Sequence, residues 1–238
     1  MKLESVLILG ASSDIGLALM RALDGEAGQI LAHGNHGQER LRAHAAAARS
    51  RVHCLAADLA DPAQAERLAQ EAAALAPCPS AIVHLAAPRL RVARFKETRP
   101  EDLEEHFQVQ VQGPAAVLRR LLPAMGQAGH GQVLFLLSDV TLGAAPGGMA
   151  PYTVGKFALL GLQRSLAAEY GPRGLTVQAL SPGMADTAFL QHLHRTVVEL
   201  GAKASPQGRL RTADEVAGRL FQLLTQPGAA GGGNLAMD

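Results

Sequence analysis

The chain has 238 residues, and its 22 basic and 21 acidic side chains leave a formal net charge of +1, so no strong field points to nucleic acid or to an anionic membrane. The length fits one α/β domain with a large buried core, residues 1–238. The first apolar run, Val6 to Leu9, stops at Gly10, too short for a signal peptide or a membrane span, and a cytoplasmic protein is expected.

Short continuous apolar runs follow one another along the chain: Val6 to Leu9, Ile30 to Ala32, Val52 to Ala56, Ala81 to Leu85, Val133 to Leu137 and Val177 to Leu180. Continuous rather than alternating runs are the pattern of strands buried on both faces. Between them, Gly16 to Leu23, Ala63 to Leu75, Pro100 to Met125 and Tyr152 to Tyr170 have helical period and are long enough to cross over a parallel sheet. Ala43 to Ala48 is of low complexity, but alanine is the best helix former and the segment reads as helix. The predicted fold class is α/β, a doubly wound parallel sheet with helices on both faces. Ligands are then expected at the carboxyl ends of the strands.

Directly after the first strand comes Gly10-Ala11-Ser12-Ser13-Asp14-Ile15-Gly16, opening a helix. A strand, a tight turn of small residues and a helix N-terminus let backbone N–H groups and the helix dipole meet a pyrophosphate. Two glycines at such a turn are common, so position rather than spacing carries the weight. The second strand ends in His33-Gly34-Asn35-His36, without the carboxylate that an NAD site places about 20 residues after its glycine loop to hold the ribose 2′-hydroxyl. Asn35, His36 and Arg40 are instead available to a 2′-phosphate, and NADP(H) is expected over NAD(H). Against this, Ser13 stands where many NADP sites have an arginine in the loop. No metal site is expected: His33 with His36, and His192 with His194, lack a third ligand. Cys54 and Cys78 have neither metal nor redox spacing and read as small buried hydrophobes.

Tyr152 and Lys156 stand one helical turn apart, and Ser138 ends the fifth apolar run. A tyrosine in water ionises near pH ~10, and an ammonium held nearby favours the phenolate and pulls that value down. The spacing puts both side chains on one helix face, and a hydroxyl from another element can hydrogen-bond the oxygen on which charge develops. The trio reads as a proton-transfer device, although a Tyr-x-x-x-Lys pair alone also occurs on ordinary surface helices.

Taken in order, Gly10 to Gly16, Asp58-Leu59, His84-Leu85-Ala86-Ala87, Ser138, Tyr152-x3-Lys156 and Ser181-Pro182-Gly183-x3-Thr187 resemble the motifs of the short-chain dehydrogenase/reductase family. The likeness runs from Leu3 to Asp238 and is greatest to 3-oxoacyl-thioester (acyl-carrier-protein) reductases. It implies a single Rossmann-type, NAD(P)-binding domain. By resemblance, Tyr152 is the general acid/base, Lys156 lowers its pKa and holds the nicotinamide ribose, and Ser138 binds the substrate oxygen. Gln110 stands where the family has the asparagine that completes a catalytic tetrad. The implied cofactor contacts are Gly10, Ser12, Ser13, Asp14, Ile15 and Gly16 in the first loop, Asn35 and His36 after the second strand, and Asp58 with Leu59 at the adenine. His84, Leu85 and Ala86 follow, then Pro182, Gly183, Met184 and Thr187 along the nicotinamide, with Tyr152 and Lys156 shared.

Several positions depart from the family pattern. Leu9 replaces its threonine, Asp14 the middle glycine of its loop, and His84 the asparagine to which that threonine is tied. Both ends of one tie have changed together, which reads as a compensated change in the scaffold with cofactor binding retained. Gln110 keeps the amide but adds a methylene, so a water relay to Lys156 persists with altered geometry; Gln178 replaces another family asparagine. Ser138 lies one residue further from the tyrosine than usual. Either the loop from Val140 to Pro151 absorbs the extra residue through Gly143, Pro146, Gly147 and Gly148, or Asp139 takes the serine's place.

The resemblance implies an NADP-dependent oxidoreductase that transfers hydride between nicotinamide and a carbonyl or secondary alcohol, with a 3-oxoacyl thioester or related ketone as substrate. Arg173 can face an acidic acyl-carrier protein, although the companion basic position is Gly129. The substrate lid spans Ala185 to Pro206. A different class is open: a non-catalytic dinucleotide-binding sensor or scaffold of the same fold. A sugar-nucleotide epimerase is a third reading, disfavoured because the chain ends at Asp238. Gly231 to Asp238 reads as the last strand. The long helices imply a homodimer through Leu103, Phe107, Val111, Leu118, Phe157, Leu160 and Leu166, with a homotetramer as the larger option. Partners in nucleic acid or membrane are not expected.

Overall fold

The computed structural model describes residues 3–191, 193–205, 207–226 and 233–237. All six expected strands form: β1 (Leu3–Leu9), β2 (Ala27–Gly34), β3 (Arg51–Ala56), β4 (Ala81–His84), β5 (Gly131–Leu136) and β6 (Leu175–Ser181). With β9 (Asn234–Ala236) they make one seven-stranded parallel sheet of order β3-β2-β1-β4-β5-β6-β9. β9 pairs Leu235 with Leu180, as the reading of the C-terminal segment expects; Gly231, Gly232 and Asp238 lie outside the described residues.

The strands are apolar throughout because each face of the sheet meets helices. Alternate residues of β1 point to opposite sides. Leu7 and Leu9 enter one core with α3 (Pro62–Leu75), α5 (Gly113–Ala128) and α6 (Ala150–Tyr170). Val6 and Ile8 enter the other, with α1 (Asp14–Leu23), Leu41 of α2 (Gln38–Ala47) and α8 (Ala213–Thr225). Side-chain caps fix where helices begin: Ser13 accepts from Gly16 N–H at α1 (3.0 Å), Asp61 from Ala63 N–H at α3 (2.9 Å), and Thr212 pairs with Glu215 in a capping box at α8. Each satisfies a donor that the helix leaves free.

The expected helix from Pro100 to Met125 is interrupted. α4 (Pro100–Phe107) gives way to a π-helical turn, Gln108–Gln112, before α5 resumes. A contact from another element meets the helix here: His84 Nε2, at the end of β4, donates to the Gln110 carbonyl at 3.1 Å, a bond that competes with the helical ladder around it. The stretch expected to be the lid, Ala185 to Pro206, contains β7 (Ala185–Asp186), a 3₁₀ turn at Ala188–Leu190 and α7 (Arg195–Ala204), with β7 paired to β8 (Arg211–Thr212); Pro206 lies outside the described residues. Among the described residues no helix is long and apolar enough to cross a membrane.

Candidate active site

The candidate residues gather at the carboxyl ends of β1, β4, β5 and β6. Ser138 follows β5 by two residues and is 8% exposed. Its hydroxyl faces the phenol of Tyr152, on the first turn of α6, and also donates to Asp139 Oδ1 at 2.8 Å. Asp139 itself is exposed, and its N–H donates to the Pro182 carbonyl at 3.0 Å. The Ser138 hydroxyl thus lies against the tyrosine, with the Asp139 carboxylate near enough to act on it through its charge. A 3₁₀ turn, Asp139–Thr141, follows Ser138 directly.

Lys156 lies one turn along α6, 3% exposed, with Nζ 5.7 Å from the Tyr152 ring centre and donating to the Leu136 carbonyl at 2.8 Å. In this structure burial, not the lysine, dominates the Tyr152 pKa. Burial pushes Tyr152 up to about 12, with the Ser138 hydrogen bond opposing and the Asp139 carboxylate adding to the rise. Burial also brings Lys156 down to about 7. Desolvation disfavours both charged forms, and a lysine only partly protonated at neutrality is a weak counter-charge.

Gln110 also departs from expectation. Its side chain is fully buried, and Nε2 donates to His106 Nδ1 at 2.9 Å rather than turning to Lys156. This places the His106 proton on Nε2. The added methylene finds room because position 155 is glycine: a Cβ there would overlap Gln110 Nε2. His106 in turn stands edge-on to Tyr152, ring centres 6.1 Å apart at 83°, while Phe189 closes the other side at 6.0 Å. His106 and Phe189 escape the sequence reading. His106 was within reach, four residues before Gln110 on one helix face; Phe189 is remote in sequence and left no local signal. Around Tyr152 and Phe189, Leu90, Met149, Leu190 and Leu193 form a small apolar cluster with Met184.

The glycine loop has the shape the sequence predicts. Gly10 adopts φ +91°, where glycine alone is comfortable, and a Cβ there would come within 2.7 Å of the Ala86 nitrogen. The loop thus lies directly on Leu85 and Ala86. Ser12 packs beside Gly34 and Gly37, and Ser13 caps α1, ahead of Ile15 and Gly16. Asp14 reaches across the groove: its carboxylate accepts the Ala188 N–H at 2.7 Å and pairs with Arg40 at 2.9 Å. Burial raises its pKa, but Arg40 and the Ala188 N–H prevail and hold it below the usual carboxylate value. Arg40 is thus paired with Asp14 in this structure. Asn35 and His36 are exposed after β2. Asp58 Oδ1 accepts the Ala60 N–H at 2.9 Å, next to buried Leu59. Pro182, Gly183, Met184 and Thr187 leave the end of β6 toward the lid, Thr187 Oγ1 donating to the Ala185 carbonyl at 3.2 Å. Among the described residues no group of three or more His, Cys, Asp or Glu could hold a metal; His192 lies outside them.

The altered tie is replaced by histidines. His84 is 1% exposed and bonded to the helix carbonyl, while His33 links Ala57 (Nε2 to carbonyl, 3.0 Å) with the Gly10 N–H (Nδ1, 3.3 Å). His84 is thus enclosed in the core. Burial lowers His33 to about 4, His84 to about 3 and His106 to about 4. Each is neutral when folded, so its contribution is present above the ordinary histidine value and lost as pH falls through the folded pKa. The free energy of unfolding is expected to fall from pH 6.5 to 4, at up to about 1.4 kcal/mol per pH unit for each histidine, and the melting temperature with it, less steeply in His84→Asn. Scanning calorimetry checks this, and a flat profile would contradict it.

A family model described as enoyl-(acyl carrier protein) reductase matches residues 10–236. Nodulation protein G from Rhizobium sp. (strain N33) is 27% identical over 226 residues, 95% of this chain and 91% of that protein. Dehydrogenase/reductase SDR family member 4 from Homo sapiens is 36% identical over 90 residues; the match spans 38% of this chain and only 32% of that protein's length. Among solved structures, a short-chain dehydrogenase/reductase from Serratia marcescens superposes with a TM-score of 0.86 at 25% identity, covering 100% of this chain and 98% of the other.

Proposed function

The chain belongs to the short-chain dehydrogenase/reductase family, and from that premise we propose that it is an NADP-dependent reductase of ketones, with 3-oxoacyl thioesters the foremost candidates. The observation that carries this reading is the meeting of the Ser138 hydroxyl, the Tyr152 phenol and the buried Lys156 amine, drawn from β5 and α6.

The loop after β1 suits a dinucleotide's diphosphate on its own geometry: it turns tightly at Gly10 (φ +91°) and opens α1 at its N-terminus. Within the loop the N–H groups of Gly10, Ala11, Ser13 and Gly16 are bonded inside the protein, so those of Ser12, Asp14 and Ile15 would hold the diphosphate, Asp58 and Leu59 the adenine, and Pro182 to Thr187 the nicotinamide end. A bound nicotinamide supplies the hydride. Ser138 then orients the carbonyl oxygen, Tyr152 delivers a proton to it, and Lys156 holds the ribose. A phenol whose pKa is about 12 keeps its proton at neutrality, the form that reduction requires. The absence of a carboxylate at Asn35 and His36 favours NADP. Arg40, with a side chain 54% exposed beside Asp14, can turn toward a 2′-phosphate.

Acyl-carrier protein as donor of the substrate rests on Arg173, which lies over the Tyr170 ring at 5.4 Å, with no cation at Gly129. For assembly we favour a two-fold dimer. Phe107 and Phe157 are 40% and 47% exposed on α4 and α6, while Leu118 and Leu160, also expected on that face, are buried within the protomer. One preparation tests the reading: a panel of ketones assayed with NADPH and NADH, and its mass by light scattering. Turnover with NADPH preferred, by a particle of twice the chain mass, is expected. No ketone reduced would refute the reductase, an NADH preference the cofactor assignment, and a clean monomer the assembly.

A further inference from the structure

The segment from Pro88 to Arg99, between β4 and α4, carries Arg89, Arg91, Arg94, Lys96 and Arg99 against one acid, Glu97, in a chain of net charge +1. Arg91 and Arg99 share a single carboxylate, Asp102. Among the described residues Arg89, Arg94 and Lys96 form no ion pair. Positive charge is therefore in excess where the chain passes from the sheet to the site.

Two of these cations face a cavity. Arg89 and Arg91, with Leu90, Val92 and His194, line an open cleft of about 530 Å³ that no carboxylate borders. Arg89 and Arg91 also line a narrower recess, which they share with Asp102, Glu105 and His106. His194 accepts the Thr196 N–H on Nδ1 at 3.3 Å, so the neutral ring carries its proton on Nε2, as a donor. The cleft is joined to the candidate active site by Leu90, which is 6% exposed and belongs to the apolar cluster on which Tyr152 rests. Its backbone is anchored there, since the Ala93 N–H donates to the Gly148 carbonyl at 3.0 Å in the loop before α6.

We propose that Arg89, Arg91 and His194 form an anion-binding subsite at the mouth of the catalytic cleft, which takes a carboxylate or phosphate carried by the ketone substrate away from its carbonyl. This deepens the reductase reading and rests on it. Guanidinium groups suit both anions, which they can hold by paired N–H bonds, while Leu90 and Val92 accept the apolar chain between the anion and the reacting carbon. Arg91 uses one nitrogen on Asp102 and keeps the remaining donors for a ligand.

The test compares three ketones with NADPH: neutral ethyl 3-oxobutanoate, the monoethyl ester of 3-oxohexanedioic acid, which ends in a carboxylate, and 3-oxobutanoyl-coenzyme A, which carries phosphates. Arg89→Gln and Arg91→Gln should each raise KM for an anionic substrate about fivefold, the size of an exposed charge pair, with kcat unchanged and the neutral ester unaffected. Salt should raise KM for the same substrates. Which substrate responds distinguishes carboxylate from phosphate. Arg67→Gln on α3 removes the same charge elsewhere and should change nothing. Equal effects on all three ketones, or none, would overturn the subsite. If no ketone is reduced, the reductase reading fails separately, and calorimetric titration with glutarate and pantetheine 4′-phosphate decides the subsite without turnover. Binding weakened by Arg89→Gln supports it; absence of binding to the unmodified protein overturns it.

Discussion

Tyr152→Phe is expected to lower ketone turnover about a thousandfold, the usual scale for losing a positioned proton donor, while NADPH binding changes little. The substitution removes only the hydroxyl. The ring keeps its place between His106 and Phe189, and Lys156 keeps its bond to the Leu136 carbonyl. Near-normal turnover in Tyr152→Phe would show that the proton comes from another group. The protonation state behind this prediction can be read without substrate. The chain has two tyrosines and no tryptophan, so in a Tyr170→Phe background the ultraviolet signal of tyrosinate belongs to Tyr152 alone. With its pKa pushed up to about 12 by burial, no tyrosinate should form below pH ~10, the ordinary value. Ionisation well below that would mean that Lys156 acts as a charged neighbour after all.

Gly155→Ala should reduce kcat more than tenfold, the second large effect, and Gln110→Asn should restore most of it. The new methyl would occupy the space of Gln110 Nε2 and lie 3.4 Å from His106 Cβ. To make room, the amide must leave its bond to His106, which then loses its fixed stance against Tyr152. Asparagine is one methylene shorter and withdraws from the methyl. A coupling of at least about 1 kcal/mol in the four-variant cycle is expected for residues that share one space. Strict additivity would show that the glycine and the glutamine do not accommodate each other. Gln110→Asn alone leaves a small gap and should have a modest effect.

Much of the fold was legible because the signals were local. Continuous apolar runs marked six strands, since a strand covered on both faces has no polar side to show, and Ser13 and Asp61 stand where helices begin. α7 and α8, by contrast, were not among the helices the pattern picked out, and the break at Gln108–Gln112 was hidden. Helical period persists through a π turn, and the contact that meets it, the ring of His84, arrives from another element.

By itself, the sequence determined the alternation of strands and crossovers, the glycine loop on the first of them, and the pairing of Tyr152 with Lys156, because each depends on residues a few positions apart. Only the tertiary structure decided which groups those residues meet. It put the Ser138 hydroxyl against the phenol, turned Gln110 to His106 over Gly155, and joined Asp14 to Arg40 and to the Ala188 N–H 174 residues away. It also made burial the dominant influence on the tyrosine and the lysine alike. The physical reason is that charge state and hydrogen-bond choice depend on desolvation and on partners drawn from distant elements, which helical spacing does not encode.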